Sequence, residues 1–139
     1  MKITHFVDEY DFLANTFNHP FVFDGLKFST AEAAFYAQRV RDVKARRKYT
    51  RLNPNQARSK ALQAIPIDEW DSRKLSIMEK VLRAKFSDPE LKKKLLDTGD
   101  ASLINTNSYR DDYWGIYMGK GKNKLGVLLE KIRDELKEA

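Results

Sequence analysis

The sequence contains no cysteine, which excludes disulfides, a catalytic thiol and thiolate metal sites. Its two histidines, His5 and His19, are too few to build an ordinary zinc centre by themselves, so neither metal nor cofactor is expected. No apolar run approaches the roughly 20 residues that span a bilayer, and Met1-Lys2-Ile3-Thr4-His5 has no signal-peptide core. No internal repeat, low-complexity tract or Gly/Ser-rich linker interrupts the chain. The expectation is a single cytoplasmic domain over residues 1–139 that makes no membrane contact.

What is present fits a folded protein. The 139 residues are 42% hydrophobic and 12% aromatic, enough for one modest core. The net charge is +6 and the pI about 9.5, which directs attention to anionic partners: phosphate esters, nucleotides or nucleic acid. That charge is local. Between Arg39 and Lys60 stand Arg39, Arg41, Lys44, Arg46, Arg47, Lys48, Arg51, Arg58 and Lys60 against Asp42 alone, a segment charge of +8, and the remainder carries −2. A charge run is usually a solvated face, but one this unbalanced suits contact with a phosphate backbone. Tyr49 is the segment's only aromatic, so stacking along a single strand has little support.

The spacing predicts a helix-dominated α+β domain with a small antiparallel sheet. Phe21-Val22-Phe23 and Leu26-Lys27-Phe28 flank Asp24-Gly25, the signal for a tight hairpin. Ile3 to Val7 can add a short strand. Ser29-Thr30-Ala31-Glu32 has the spacing of a capping box and opens an Ala-rich helix to roughly Lys48. Asn53-Pro54-Asn55-Gln56 opens a second helix, which Pro66 ends. Asp68 can cap a third over Glu69 to Phe86. Ser87-Asp88-Pro89-Glu90 starts a fourth that stops at Thr98-Gly99. A fifth runs from about Asn123 to Lys137 with Leu125, Leu128, Leu129, Ile132 and Leu136 on one face.

Some positions resist a purely structural reading. Lys85 projects from the apolar face that Trp70, Leu75, Ile77, Met78, Val81 and Leu82 form, with Lys74 at a similar angle. Desolvated there, its amine is a candidate nucleophile; otherwise it snorkels its ammonium to water at the helix end. Glu32 is either the third residue of a capping box or a functional acid beside Phe35, Tyr36 and Arg39. Gly119-Lys120-Gly121-Lys122-Asn123 can wrap an anion against a helix N-terminus or be an ordinary loop. Asp111 and Asp112 beside Tyr113 and Trp114 look like a stacking platform with a polar rim, although Trp114 is equally a core plug.

In order along the chain, these segments resemble the NADAR family of YbiA-like N-glycosidases. The similarity is carried by Phe12-Leu13-Ala14-Asn15-Thr16-Phe17, by Phe28 to Gln38 around Glu32, and by Trp70 to Arg73 with Met78 and Ala84-Lys85-Phe86. Leu95-Leu96-Asp97-Thr98-Gly99, Asp111 to Gly115 and Gly119 to Gly126 complete it. It departs at Ala33 and Tyr36, where the family often has His and Gln, and at Ala14, where Ser is usual.

The resemblance implies cleavage of an N-glycosidic bond between an ADP-ribosyl or ribosyl-phosphate group and a guanine-like base. The base would be in nucleic acid, in a nucleotide or in a riboflavin-pathway ribosylaminopyrimidine. It implies Glu32 as acid–base and charge stabiliser and Lys85 as nucleophile. Asn15 and Phe17 would orient and stack on the base, with Trp114 a further wall and Arg39 and Trp70 contributing contacts. Asp111 or Asp112 would reach sugar or base edges, and Gly119, Gly121, Lys122 and Asn123 would hold phosphate. Lys44, Arg46, Arg47, Lys48 and Arg51 would line a phosphate or DNA/RNA approach. The opposing expectation is a catalytically silent module that binds ADP-ribose or nucleic acid.

Overall fold

Local signals set the first element of the larger continuous unit. In the computed structural model, which describes residues 1–139, β2 (Phe21–Phe23) and β3 (Leu26–Phe28) pair antiparallel as Phe21↔Phe28 and Phe23↔Leu26. Asp24 and Gly25 close the hairpin with φ of 52° and 76°, the two positive angles that a strand-matched two-residue turn demands. The chain folds as two compact units: Asn15–Asp88, and Met1–Ala14 together with Pro89–Ala139.

In the first unit, α1 (Ala31–Arg39) is the central helix, packed against α2 (Pro54–Gln63), α3 (Trp70–Lys85) and the 3-10 turns of Val43–Arg51. Its Ala31, Ala33, Ala34 and Ala37 are fully buried, and short side chains let three neighbours come close. The helix ends nine residues before the expected Lys48. Val40 leaves it to bridge Pro66, with Arg41 N–H donating to the Ile65 carbonyl at 2.9 Å and Ile67 N–H to the Arg39 carbonyl at 2.8 Å. The Asp42 carboxylate then accepts from Lys44 N–H and restarts the chain as 3-10 turns. Tertiary pairing with residues 65–67 overrides helix propensity here. α2 carries the expected capping box, with Asn53 and Gln56 bonded reciprocally. α3 begins without the expected Asp68 cap. Glu69, at φ 56°, precedes it with no side-chain cap, because the Asp68 carboxylate accepts from Arg41 at 2.6 Å.

In the second unit, β1 (Lys2–Ile3) pairs with β4 (Ser102–Leu103), and β5 (Thr106–Asn107) with β6 (Ile116–Tyr117). Both ladders are parallel, so the hairpin is the only antiparallel ladder, beside the isolated antiparallel bridges Val40–Pro66 and Tyr117–Lys120. α4 (Pro89–Asp97) and α5 (Lys124–Glu138) pack on each other, and Gly99 follows α4 at φ 63° as its spacing predicts. α5 buries Leu125, Leu128, Leu129 and Ile132, and leaves Leu136 half-buried. Arg133 is also buried. Its guanidinium donates to the Ala101 carbonyl at 2.8 Å and the Thr98 hydroxyl at 3.0 Å, capping the chain as it leaves α4. No helix is long and apolar enough to cross a membrane.

One glycine sets the seat of α5. A Cβ on Gly126 would lie 2.0 Å from the Leu103 carbonyl oxygen, a backbone atom that cannot swing aside. Alanine at this position would gain about 1 kcal/mol of helix propensity. Forcing α5 off β4 costs typically 1–3 kcal/mol or more, and the obstacle being backbone puts the cost at the upper end. Gly126→Ala is therefore expected to destabilise by about 2 kcal/mol. A thermal melt checks this, and a midpoint at or above the parent's would overturn it.

Candidate functional site

The Asn15–Asp88 unit holds the proposed catalytic pair. Glu32 lies in the first turn of α1, but not where a capping box needs it. Thr30 is the N-cap, and its hydroxyl accepts from Ala33 N–H at 3.1 Å. Ala33 therefore occupies the third position and Glu32 the second. The capping-box spacing is real, but its register is one residue off, so the bland account of Glu32 loses its main support. The Glu32 N–H donates to the Asn15 carbonyl at 2.9 Å, which ties the Asn15–Phe17 segment to the start of α1.

Lys85 is the last residue of α3, and it does not snorkel. It is 1% exposed, among the most buried side chains of the protein, whereas Lys74 on the same helix turns outward to Asp71 at 3.7 Å. The Lys85 Nζ lies 5.8 Å from the centre of the Phe17 ring and 5.1 Å from that of Phe86. Burying an amine among aromatic rings is costly unless its environment compensates, and cation–π contact offsets part of that cost. Phe86 is the contact that sequence reasoning assigned only to a helix end; the run Ala84-Lys85-Phe86 was its one signal.

Asn15 connects the two regions of this unit. Its backbone carbonyl holds Glu32, and its carboxamide Nδ2 lies 3.6 Å from the Met78 sulfur, two turns before Lys85 on the buried face of α3. Its Oδ1 is buried without a partner, which costs about 1–3 kcal/mol in a closed protein. Phe17 stacks on His19 at 6.2 Å with the planes 10° apart, and His19 Nε2 sits 3.4 Å from Asp88. Trp70 packs on Phe35 at 5.0 Å between centroids, so it ties α3 to α1 as well as being half-buried.

The basic segment divides sharply. Arg39 donates to the Ala61 carbonyl. Arg46, 14% exposed, donates to the Val40 carbonyl at 2.9 Å and reaches the Gln38 amide oxygen and Asp24. These two brace α1 against its neighbours, although the charge pattern had grouped them with the solvent-facing cations. Lys44, Arg47, Lys48 and Arg51 are exposed. Tyr49 is buried in their midst, and burial pushes its phenol above the usual value although nearby Arg39 pulls the other way.

The second unit carries the loop from Asp111 to Asn123, and much of its polarity is spent inside the loop. The Asp111 carboxylate accepts from Tyr113 N–H at 3.1 Å and Trp114 N–H at 2.9 Å, while Asn107 holds the Asp111 backbone on both sides. Asp112 accepts from Lys122 N–H through its backbone carbonyl, and its side chain is exposed. Trp114 is half-buried and edge-on to Tyr113 at 4.8 Å, with Lys122 Nζ 5.8 Å over the Tyr113 ring.

Gly119 follows Met118 in the Tyr117–Lys120 turn, both at positive φ. Gly121 lies where a Cβ would stand 2.3 Å from the Gly115 carbonyl oxygen. The carboxamide of Asn123 accepts from Asn105 N–H and donates to the Leu103 carbonyl, both at 2.9 Å, a bracing task for a residue expected to hold phosphate. Asn105 and Asn107, which organise this loop, were not singled out from sequence; their clustering in Ile104-Asn105-Thr106-Asn107-Ser108 was the available signal. Elsewhere in this unit, a hydrogen bond from Lys137 holds the Asp100 carboxyl below its usual range. No three His, Asp or Glu side chains converge as a metal site would need.

Comparison with known proteins gives concordant results. A model of the NADAR domain matches residues 3–137. The chain is 37% identical over 138 residues to the N-glycosidase YbiA of Escherichia coli, covering 93% of this chain and 83% of that one. The NMR structure of E. coli YbiA matches the fold with a TM-score of 0.85 at 34% identity, covering 99% of this chain and 88% of that one. A riboflavin biosynthesis protein of Vibrio vulnificus is 29% identical over 136 residues, which is 94% of this chain and 37% of that protein.

Proposed function

The chain belongs to the NADAR domain family, and from that premise we propose that it is an N-glycosidase. It cleaves the bond between the anomeric carbon of an ADP-ribosyl or ribosyl-phosphate group and the nitrogen of a guanine-like base. The carrying observation is Lys85, a lysine at 1% exposure between two aromatic rings where a snorkelled side chain was the ordinary alternative. The relative named an N-glycosidase supports the reaction class.

The chemistry assigned to the unit's residues is balanced without a cofactor. Positive charge develops at the anomeric carbon as the carbon–nitrogen bond breaks, and the Glu32 carboxylate stabilises it. Glu32 also accepts the proton that the Lys85 amine loses on attack and passes it to the departing base nitrogen. The Lys85 amine forms a bond to the anomeric carbon, the ring opens, and the resulting imine is hydrolysed by water to release the sugar aldehyde and the free amine. The half-buried Phe17 ring, its centre 5.8 Å from the Lys85 nitrogen, provides the aromatic contact for the base.

Incubation with ADP-ribosyl-guanosine and with the riboflavin-pathway ribosylaminopyrimidine, with base release followed, tests the reading. Release from the guanosine conjugate is expected to be the faster. Faster release from the aminopyrimidine moves the substrate to the class that the Vibrio relative's name suggests. Binding without release from either, by folded protein, overturns the N-glycosidase reading and leaves the silent module.

A further inference from the structure

We infer that the outer face formed by the 3-10 turns of Val43–Arg51 and by α2 is a docking surface for the phosphate backbone of nucleic acid. From Val43 to Gln63 the sequence contains no aspartate or glutamate. Of the nine cations between Arg39 and Lys60, the structure uses three internally: Arg39 on the Ala61 carbonyl, Arg46 on the Val40 carbonyl and Arg41 on Asp68. The other six, Lys44, Arg47, Lys48, Arg51, Arg58 and Lys60, are exposed and have no acidic partner. Six unpaired like charges on a short stretch repel one another, and the folded protein keeps them together without a counter-charge. A polyanion removes that repulsion.

A second observation lies beside them. A groove of about 490 Å³ runs along α2, lined by Leu52, Asn55, Gln56, Ser59, Lys60 and Gln63. The side chains of Asn55, Ser59 and Gln63 make no hydrogen bond within the protein, so the groove offers two carboxamides, a hydroxyl and an ammonium to a ligand. Only Ala57 and Ala61 of α2 are buried, which leaves almost the whole helix available. The partner follows from what the surface has and lacks. Its sole aromatic, Tyr49, is buried, so bases have nothing to stack on and contact falls on phosphate and sugar. Amides and a hydroxyl lining the groove suit sugar and phosphate oxygens.

The inference stands apart from the N-glycosidase reading, since it concerns binding and is measured without turnover. Fluorescence anisotropy with a labelled DNA duplex of arbitrary sequence, titrated over salt, tests it. Six phosphate contacts predict that log affinity falls with log salt at a slope of about −5, roughly a thousandfold loss between 50 and 200 mM salt. The triple variant Arg47→Ala/Lys48→Ala/Arg51→Ala, at exposed positions that the fold does not use, is expected to lower the slope by about three. The charge-matched variant Lys2→Ala/Lys80→Ala/Lys93→Ala is expected to leave it near the parent's. Equal slopes for the parent and the first variant, or equal losses in the two variants, overturn the surface. Tighter binding to phosphatidylserine vesicles than to the duplex, lost in the first variant, overturns nucleic acid as the partner.

Discussion

Replacing Lys85 with methionine is expected to reduce base release by about a thousandfold or more, equivalent to roughly 4 kcal/mol of transition-state stabilisation. The position explains the size. Lys85 ends α3, where the helix dipole favours a cation by typically 0.3–1 kcal/mol, and a lysine there ordinarily extends its amine to solvent. Here the side chain is enclosed, with its nitrogen 5.8 Å from Phe17 and 5.1 Å from Phe86. Methionine keeps much of the length and volume and removes the amine. Melting curves recorded alongside separate a folding defect from a chemical one: a variant that melts near the parent yet releases base as fast would remove Lys85 from the reaction. Borohydride reduction in the presence of substrate adds an independent readout. The parent is expected to yield a sugar adduct on Lys85, and the variant none. A parent that turns over without any trapped adduct assigns the attack to water rather than to the amine.

The contrast between Lys85 and Lys74 shows how far helical angle alone reaches. Both fall on the same face of α3 by periodicity, and only the packed structure sends one inward and the other to Asp71. Angle fixes a direction, while depth depends on which neighbours cover it, and the cover on Lys85 comes in part from Phe17, a residue 68 positions away in sequence. Local chemistry was legible for the same reason that it is local: Asp24-Gly25 closes its hairpin, and Asn53-Pro54-Asn55-Gln56 caps α2 as its spacing demands. The end of α1 at Arg39 was not, because the competing partner is the 65–67 segment. The parallel ladders β1–β4 and β5–β6 were hidden similarly, since each strand has two residues and no alternation to read. The basic segment was legible as charge but not as geometry. Counting could not tell Arg46, held by Val40 and Gln38, from its exposed neighbour Arg47.

Glu32→Gln is expected to lower kcat by about a hundred- to ten-thousandfold, the range for removing a general acid–base group, while changing stability little. The stability expectation follows from where the residue sits. Thr30 supplies the cap and Ala33 receives it, so the Glu32 side chain is not the third-position partner of a capping box. On the structural side, its carboxylate in the first turn of α1 is worth typically 0.3–1 kcal/mol against the helix dipole, and glutamine keeps a polar side chain of the same length that still donates and accepts hydrogen bonds. The backbone bond from Glu32 N–H to the Asn15 carbonyl survives the substitution, so the Asn15–Phe17 segment keeps its anchor. A capping or packing role would therefore show as a lowered melting temperature with kcat nearly intact. A catalytic role shows as the reverse, with the limb of the kcat/KM profile that reports carboxyl ionisation lost in the variant. Should glutamine preserve both kcat and that limb, the acid–base assignment falls, and Lys85 would have to act with a proton donor elsewhere in the Asn15–Asp88 unit.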